Sequence, residues 1–259
     1  DEILTVYQNI RSIKKHHFQI GYSNSIYNSD FSTQRILTES SEKTELIQKA
    51  SLKSIFLEDR WSISKNLRLR LGIRNTYFSN NKSSYLEPRI SATMKVTPTF
   101  TFEGALGKNN QFVHQFISPL STRGTQGTWL ISQEKIPVVS SFSSQISSHW
   151  KEHNHEYSIS LYQRSSEGHF NFEKYLSPIP ILSEQNESGN PYYTESQGEE
   201  EINGAEILIR RKNSLINGWI SYHFNETKYS FPDINNGKLY KADHNLRYEF
   251  KSVLITSIL

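Results

Sequence analysis

The sequence predicts an all-β fold: an antiparallel up-and-down meander of about eleven strands, each with one apolar and one polar face. Three observations carry that expectation. Apolar and polar residues alternate with a period of two along many segments. The connections between those segments alternate between short and long. The apolar residue types make up only 35% of 259 residues while aromatics reach 12%. Even with the 12 glycines added, the total is roughly 40%, below the ~45–50% of an ordinary globular domain. Such a composition supplies a thin apolar layer rather than a deep core, and its aromatic content separates it from a disordered chain.

The strands are expected near 3–11, 16–31, 48–64, 67–79, 86–97, 100–116, 139–153, 155–173, 203–212, 216–230 and 241–256. Leu67, Leu69, Leu71, Ile73 and Tyr77 alternate with Arg68, Arg70, Gly72, Arg74 and Thr76, with Asn75 as the one polar break. Ile90, Ala92, Met94 and Val96 alternate with Arg89, Ser91, Thr93 and Lys95. Phe100, Phe102, Gly104 and Leu106 alternate with Thr101, Glu103 and Ala105. Tyr157, Ile159 and Leu161 alternate with two serines, and Leu246, Tyr248 and Phe250 alternate with Asn245, Arg247, Glu249 and Lys251. Successive strand side chains point to opposite faces, so each run is a two-faced strand. The enrichment in β-branched and aromatic residues agrees. No amphipathic helix of useful length is expected.

The tight connections centre on residues 12–15, Lys65-Asn66, Pro98-Thr99, Asn154 and residues 213–215. The long ones fall at 32–47, 80–85, 117–138, 174–202 and 231–240, where Pro and Gly cluster. If every second connection is tight, all tight turns lie at one end of the sheet and all long loops at the other. That is the layout of a transmembrane β-barrel, with short periplasmic turns and long extracellular loops. A closed sheet pairs its backbone groups in hydrocarbon, its apolar face meets outer-membrane lipid, and its polar face lines a wet lumen. Trp61, Tyr77, Phe78, Phe100, Trp150, Phe224 and Tyr229 are candidates for interfacial aromatic girdles, with ordinary cross-strand packing as the alternative.

An ordered series of local motifs then resembles the second half of the barrel of the TonB-dependent outer-membrane receptors. Phe56-Leu57-Glu58-Asp59-Arg60-Trp61 is followed by the Lys65-Asn66 turn and by Leu71-Gly72-Ile73-Arg74. Leu86-Glu87-Pro88-Arg89, the turn from Lys95 to Thr99, and Gly107-Lys108-Asn109-Asn110-Gln111-Phe112 come next. Asn203-Gly204-Ala205-Glu206, Asn235-Asn236-Gly237 and Asp243-His244-Asn245-Leu246 complete the series. The resemblance runs from about Leu52 to Phe250. It implies an outer-membrane location, an N-terminal plug domain, and energy from an inner-membrane complex acting through that plug. It also implies uptake of a nutrient such as a siderophore, glycan or peptide. No plug or TonB box is visible, and such barrels have about 22 strands. The expectation is therefore a fragment, 1–259 being a partial barrel whose plug and remaining strands lie elsewhere. The start at Asp1-Glu2 and the end at Ile258-Leu259 fit that expectation.

Other functions find less support. Lys plus Arg is 29 against 26 Asp plus Glu, a net +3, too weak and mixed for a dedicated nucleic-acid surface. The absence of cysteine excludes disulfides, thiolate zinc sites and thiol nucleophiles. Glu199-Glu200-Glu201 reads as a solvated charge run rather than an acid–base site. His16, His17, His153, His155 and His169 lack a third ligand at metal spacing, and a turn or interface role is favoured for them. Serines near His149 and His223 lack a Gly-x-Ser-x-Gly elbow, so no catalytic set is assigned. No enzyme, cofactor or metal is expected.

The candidate functional surface is the polar face. By alternation it holds Arg68, Arg70, Arg74, Arg89, Lys95, Glu103, Glu206, Arg210, Arg247 and Glu249. In the family it resembles, this face contacts the plug and borders the substrate's path. Recognition is expected in loops 117–138 and 174–202, with Trp129, Asn186, Asn190, Tyr192 and Tyr193 as candidates. The rival reading is a structural or adhesive outer-membrane β-protein without transport.

Overall fold

The structure, a computed structural model, describes residues 2–13, 15–36, 41–116, 128–133, 136–170, 197–212, 216–232, 234–242 and 245–256. The first six strands are β1 (Glu2–Ile13), β2 (His16–Ile36), β3 (Ser41–Ser62), β4 (Leu67–Phe78), β5 (Ser83–Lys95) and β6 (Phe100–Gln111). After a short pair, β7 (Val113–Phe116) and β8 (Thr128–Ile131), the meander resumes. It continues with β9 (Val139–Glu152), β10 (His155–Phe170), β11 (Gln197–Arg211) and β12 (Ile216–Ser230). It ends in β13 (Tyr240–Lys241) and β14 (Tyr248–Thr256). Twelve of these strands form one antiparallel sheet in sequence order, with β7 and β8 forming a separate hairpin. The sheet is not closed among the described residues: β1 pairs only with β2, and β14 only with β12. The all-β antiparallel meander read from the sequence is therefore the observed fold, in the form of a partial barrel.

Residues 63–66, 96–99 and 153–154 connect strands at one rim, where β1 and β2 and also β11 and β12 have their adjoining ends. Hydroxyl side chains close two of these turns. Thr97 Oγ1 accepts from the N–H groups of Thr99 and Phe100 at 3.3 and 3.0 Å, and Ser64 Oγ accepts from that of Leu67 at 3.0 Å. The other rim holds the longer connections, with two corrections. Most of the expected 32–47 loop is strand, because β2 and β3 pair from His16/Trp61 to Ile36/Ser41. The expected 80–85 loop shrinks to residues 79–82. The backbone ladder of a hairpin needs no apolar face, so a polar ribbon above the membrane band can be mistaken for a loop. At about 70 Å for 21 residues, β2 is roughly twice the length a tilted strand needs to cross hydrocarbon.

The register sorts side chains into two faces. One row runs Leu69, Ala92, Gly104, Ile146, Leu161, Ala205 and Phe224 across seven strands. The row nearer the short turns runs Met94, Phe102, Ser148, Ile159, Ile207, Tyr222 and Phe250. Toward the long-loop rim the same face turns polar on β6 and β10–β12, through Lys108, Ser165, Glu201 and Lys228, with Phe142 on β9 the apolar exception. The reverse face carries Arg70, Ser91, Ala105, Gln145, Tyr162, Gly204 and Asn225 in one row. Many large apolar side chains of the belt are exposed, among them Leu71, Ile90, Phe102, Leu106, Ile146 and Leu161. A contiguous exposed apolar surface of that kind marks a face that another apolar partner, lipid or protein, covers. Trp150 packs against Tyr157 at 5.5 Å, and His16 stacks on Trp61 at 5.2 Å, at the short-turn margin of the belt.

Two girdle candidates lie on the other face. Phe78 is fully buried under the β7–β8 hairpin, and Tyr229 hydrogen-bonds Glu200. Both follow from parity: Phe78 is in phase with Arg74 and Arg70, and Tyr229 with Asn225.

The expected sixth strand, 100–116, is broken at Phe112, whose ring turns inward. β8 lies inside an expected loop, because four residues are too few to show a period. The β7–β8 hairpin crosses the polar face and docks on β2 and β3. Gln48 donates to the Ile131 carbonyl at 3.1 Å and accepts from the Ile131 N–H at 3.0 Å. Ala50, Phe78, Phe112 and Ile131 form the buried cluster beneath it, with Tyr27, Leu52, Tyr85, Val113 and Val138 around it. Pairing of β5 with β6 stops at Arg89/Gly107, next to Pro88, which has no N–H to give. There the buried Glu87 carboxylate accepts from the Asn110 N–H at 2.7 Å in place of a backbone carbonyl. The expected final strand, 241–256, is likewise interrupted between β13 and β14, where Asn245 Oδ1 takes the Thr227 N–H at 3.1 Å.

Gly204 is required by its neighbour. The Tyr162 ring lies flat over it, where a Cβ would overlap the phenol. The Tyr162 hydroxyl meets His223 Nε2 and donates to Asn225 Oδ1 at 3.4 Å, so the ring cannot swing away freely. Gly204→Val should destabilise the barrel wall by about 1–3 kcal/mol. The check is the thermal unfolding midpoint in detergent beside a Gly104→Val control, because a Cβ at Gly104 meets nothing within 4 Å. Equal midpoints would refute the packing argument.

Candidate functional site

The strands place the sequence-selected charges on the polar face in a ladder of partners. Glu58 on β3 takes Arg60 at 2.8 Å and Arg70 from β4 at 3.2 Å. Arg74 lies over the Phe56 ring at 5.5 Å. Arg89 donates to Asn109 Oδ1 at 2.9 Å across the β5–β6 pair. Glu103 meets His149 at 3.5 Å and accepts from Thr93. Near the short turns, Glu156 gathers Lys212 at 2.9 Å, Lys151 at 3.5 Å and Arg210 at 3.7 Å. Arg68 is opposite Thr93, and Glu206 opposite His223. Arg247 departs from the expectation. It precedes β14, and its guanidinium lies over the rings of Phe224 and Tyr248, 5.6 and 5.4 Å from their centroids.

Between these charges, Ala105, Gly107, Ser143 and Ser147 pave the wall with small side chains. The result is a concave trough of about 550 Å³, bounded by Glu58, Arg70 and Arg89 on one flank and by Tyr162 and Arg164 on the other. Its chemistry is that of binding: cations and carboxylates already held in pairs, with hydroxyl and amide groups between them. Among the described residues, no group of three or more His, Asp or Glu side chains is placed to hold a metal ion.

One enclosed charge cluster among the described residues was not selected from the sequence. Glu200, 4% exposed, takes Arg164 Nη2 at 2.8 Å and the Tyr229 hydroxyl at 3.1 Å, while His169 Nε2 stands 3.6 Å away. The Glu199-Glu200-Glu201 run is therefore not uniformly solvated: Glu199 is exposed and Glu200 is inside. Alternation carried the signal, since Glu200 is in phase with Glu206 and Arg210. Burial, and then the Glu200 charge, pushes the Tyr229 hydroxyl well above its ordinary value. Trp129 is 53% exposed at the end of the β7–β8 hairpin, and its carbonyl accepts from the Ser29 hydroxyl at 2.5 Å. Tyr192 and Tyr193, with most of loops 117–138 and 174–202, lie outside the described residues.

His114 on β7 and His169 on β10 both have their pKa lowered, first by burial. A hydrogen bond from His114 to the Pro137 carbonyl and the Glu200 charge beside His169 act the other way, while Arg164 adds to the lowering at His169. The docked hairpin thus binds fewer protons than a released one. Its stability is full above the ordinary histidine value of 6.5 and falls as pH drops through that value toward the lowered ones. The slope should reach at most about 1.4 kcal/mol per pH unit from His114, the histidine on the hairpin itself. Amide exchange at Ile131 between pH 7.5 and 5.5, corrected for intrinsic rates, checks this. A His114→Gln variant should show a flatter profile, and identical profiles would refute it.

No family model matches the sequence, and no curated protein matches it. Solved structures do match in fold. The ferric yersiniabactin uptake receptor FyuA from Yersinia pestis aligns with a TM-score of 0.68 at 10% identity, over 99% of this chain and 39% of that one. FpvAI, from its complex with pyocin S2, aligns with a TM-score of 0.65 at 10% identity, over 97% of this chain and 35% of the other. The alcaligin outer-membrane receptor FauA from Bordetella pertussis gives 0.57 at 15% identity, over 96% and 41%. The chain thus spans about two fifths of the length of these structures. The likeness is one of fold: an open segment of the same antiparallel β-barrel wall.

Proposed function

We propose that this chain is part of the barrel of a TonB-dependent outer-membrane receptor that takes up a siderophore, glycan or peptide nutrient. The observation that supports this best is the pair of opposed faces. A continuous Leu–Ala–Gly–Ile–Leu–Ala–Phe row backs an Arg–Ser–Ala–Gln–Tyr–Gly–Asn row, with short turns along one rim. In this reading the apolar belt meets outer-membrane lipid, and the remaining strands complete the wall at the edges of β1 and β14. A plug domain rests against the trough. Arg70, Arg89 and Arg164 then supply charge-assisted hydrogen bonds to plug carbonyls and carboxylates. An inner-membrane complex acts through the plug, and nutrient meets the long-loop rim around Trp129. The chain binds and passes a solute and carries out no bond chemistry.

Support for this class comes from fold neighbours: FyuA is a ferric yersiniabactin uptake receptor, and RagAB is a peptide importer that aligns over 92% of this chain with a TM-score of 0.54. The test is made in cells. The protein should pellet with outer membranes and resist alkaline extraction. Uptake of its nutrient should stop when the inner-membrane proton gradient is collapsed, while surface binding persists. Recovery in the aqueous phase, or uptake indifferent to the gradient, would overturn the proposal.

A further inference from the structure

The sheet has a free edge in its interior, apart from the open edges at β1 and β14. β2 and β3 stay paired up to Ile36/Ser41, but β3 and β4 pair only from Leu52/Phe78 to Ser62/Arg68. The chain turns back after β4 at residues 79–82, so β3 rises past it as one side of a two-stranded ribbon. Over residues 41–50, no strand among the described residues pairs with that side of β3. The phase of the ladder is fixed at its last rung. Ser51 accepts the Ser79 N–H on its carbonyl at 3.0 Å and gives its own N–H to Ser79 Oγ at 2.9 Å. Odd-numbered residues of β3 therefore aim their backbone groups at this edge, and the N–H and C=O groups of residues 43, 45, 47 and 49 meet no strand there. The β7–β8 hairpin takes the Gln48 side chain on the polar face and forms no ladder with β3.

The side chains along the edge select what can fill it. Ile47 is 66% exposed on the same face as the apolar belt, but Lys49, Ser51 and Lys53 stand between it and Ile55. Ile47 is thus a lone apolar side chain in a polar stretch, and a cross-strand neighbour would cover it. Lys49 and Lys53 are exposed on that face, and neither makes an ion pair among the described residues. They oppose a basic incoming strand and favour an acidic one. A second copy does not fit. Two copies upright in one membrane run β3 in the same sense, so their edges cannot meet antiparallel. About a two-fold axis along the strands, N–H would face N–H. A lipid has no row of backbone donors and acceptors to match the edge.

We infer that residues 41–50 of β3 take up an extended acidic segment of a partner protein as an added antiparallel strand. The side from which it comes rests on the proposed function, in which this rim faces the exterior and the partner is an extracellular protein. The strand addition itself needs only the free edge. Backbone hydrogen bonds supply the affinity. The side chains opposite Ile47 and Lys49 supply the choice, an apolar residue over the first and a carboxylate over the second. At ~3.4 Å per residue the edge offers about 30 Å of ladder, enough for a segment of about eight residues.

The test uses the intact protein in detergent and a synthetic peptide of about ten residues built from valine, threonine and aspartate. Fluorescence anisotropy reads its binding, and hydrogen exchange reads the Ile47 and Lys49 amides. Both amides should exchange freely without peptide and slow by about tenfold or more with it. N-methylation of alternate peptide residues removes donors and should abolish binding. Lys49→Pro should weaken binding about tenfold, because proline blocks an edge N–H while taking none from the β2 ladder. Its unfolding midpoint should stay near that of wild type. Lys49→Glu should weaken binding about fivefold, as should lysine in place of aspartate in the peptide. Lys108→Glu, the same charge change on β6, should leave binding as it is. The inference is overturned if the two amides are already slow in the free protein, or if the peptide does not bind. Equal binding of the N-methylated peptide, of the lysine peptide or by Lys49→Pro overturns it as well. Membrane fractionation of the same protein reports on the receptor reading separately: a protein that sediments with membranes yet fails these tests loses the edge site alone.

Discussion

Phe78→Ala should release the β7–β8 hairpin from the wall while leaving the meander intact. Phe78 is fully buried, and its ring meets that of Phe112 at 5.0 Å, which in turn meets Tyr85 edge-on at 5.1 Å. Ala50 and Ile131 complete the cluster. Deleting a buried phenyl ring costs about 3–5 kcal/mol in transfer and cavity terms. Here the loss falls on one small unit. The hairpin is only four residues per strand, and beyond this cluster its wall contacts are polar: the Gln48–Ile131 pair, Asn80 to Ser132 and Ser29 to Trp129. The sheet itself is held by ladders that do not pass through Phe78. Amide exchange at Ile131 and Ser132 should therefore speed up by about 10²–10³. Exchange at Ile159 and Ile207 should not change. Uniform acceleration across the sheet would mean that the cluster holds the wall rather than the hairpin, and no acceleration would mean that the cluster holds neither.

Glu200→Ala has the next largest expected effect, about 2–3 kcal/mol of wall stability. It leaves the half-buried Tyr229 hydroxyl without its 3.1 Å acceptor and Arg164 without its 2.8 Å carboxylate. Arg164 is nearly half exposed and can turn to water, which keeps the cost below that of breaking a fully enclosed pair. Glu200→Gln should cost about half as much, because the amide oxygen still accepts from Tyr229 while the charge is gone. Unfolding midpoints of the two variants in detergent give the comparison. Equal loss would assign the whole effect to charge, and no loss in either would show that the cluster contributes nothing to stability.

These two sites show what could and could not be read ahead of the structure. Alternation in β4, β5 and β6 was enough to assign Arg70, Arg89 and Glu103 to one face and Leu71, Ile90 and Leu106 to the other. A strand's period of two is local and needs no partner. The same rule, applied to β11, places Glu200 inside, but three consecutive glutamates resemble a solvated run until the strand is known to begin at Gln197. Arg247 defeated the rule because the chain leaves the ladder between β13 and β14, so parity there no longer fixes direction. Phe112 and β8 were invisible because what makes them a unit is contact with Ala50 and Phe78, distant in sequence.

From sequence alone came the all-β class, the sense of the two faces and the rim that holds the tight turns. Each depends on neighbours along one strand or across one turn. Only the tertiary structure decided that a hairpin folds over the polar face and that Glu200 is enclosed. Those features arise where residues from separate strands meet, and the cost or gain of such a meeting is written in no single segment.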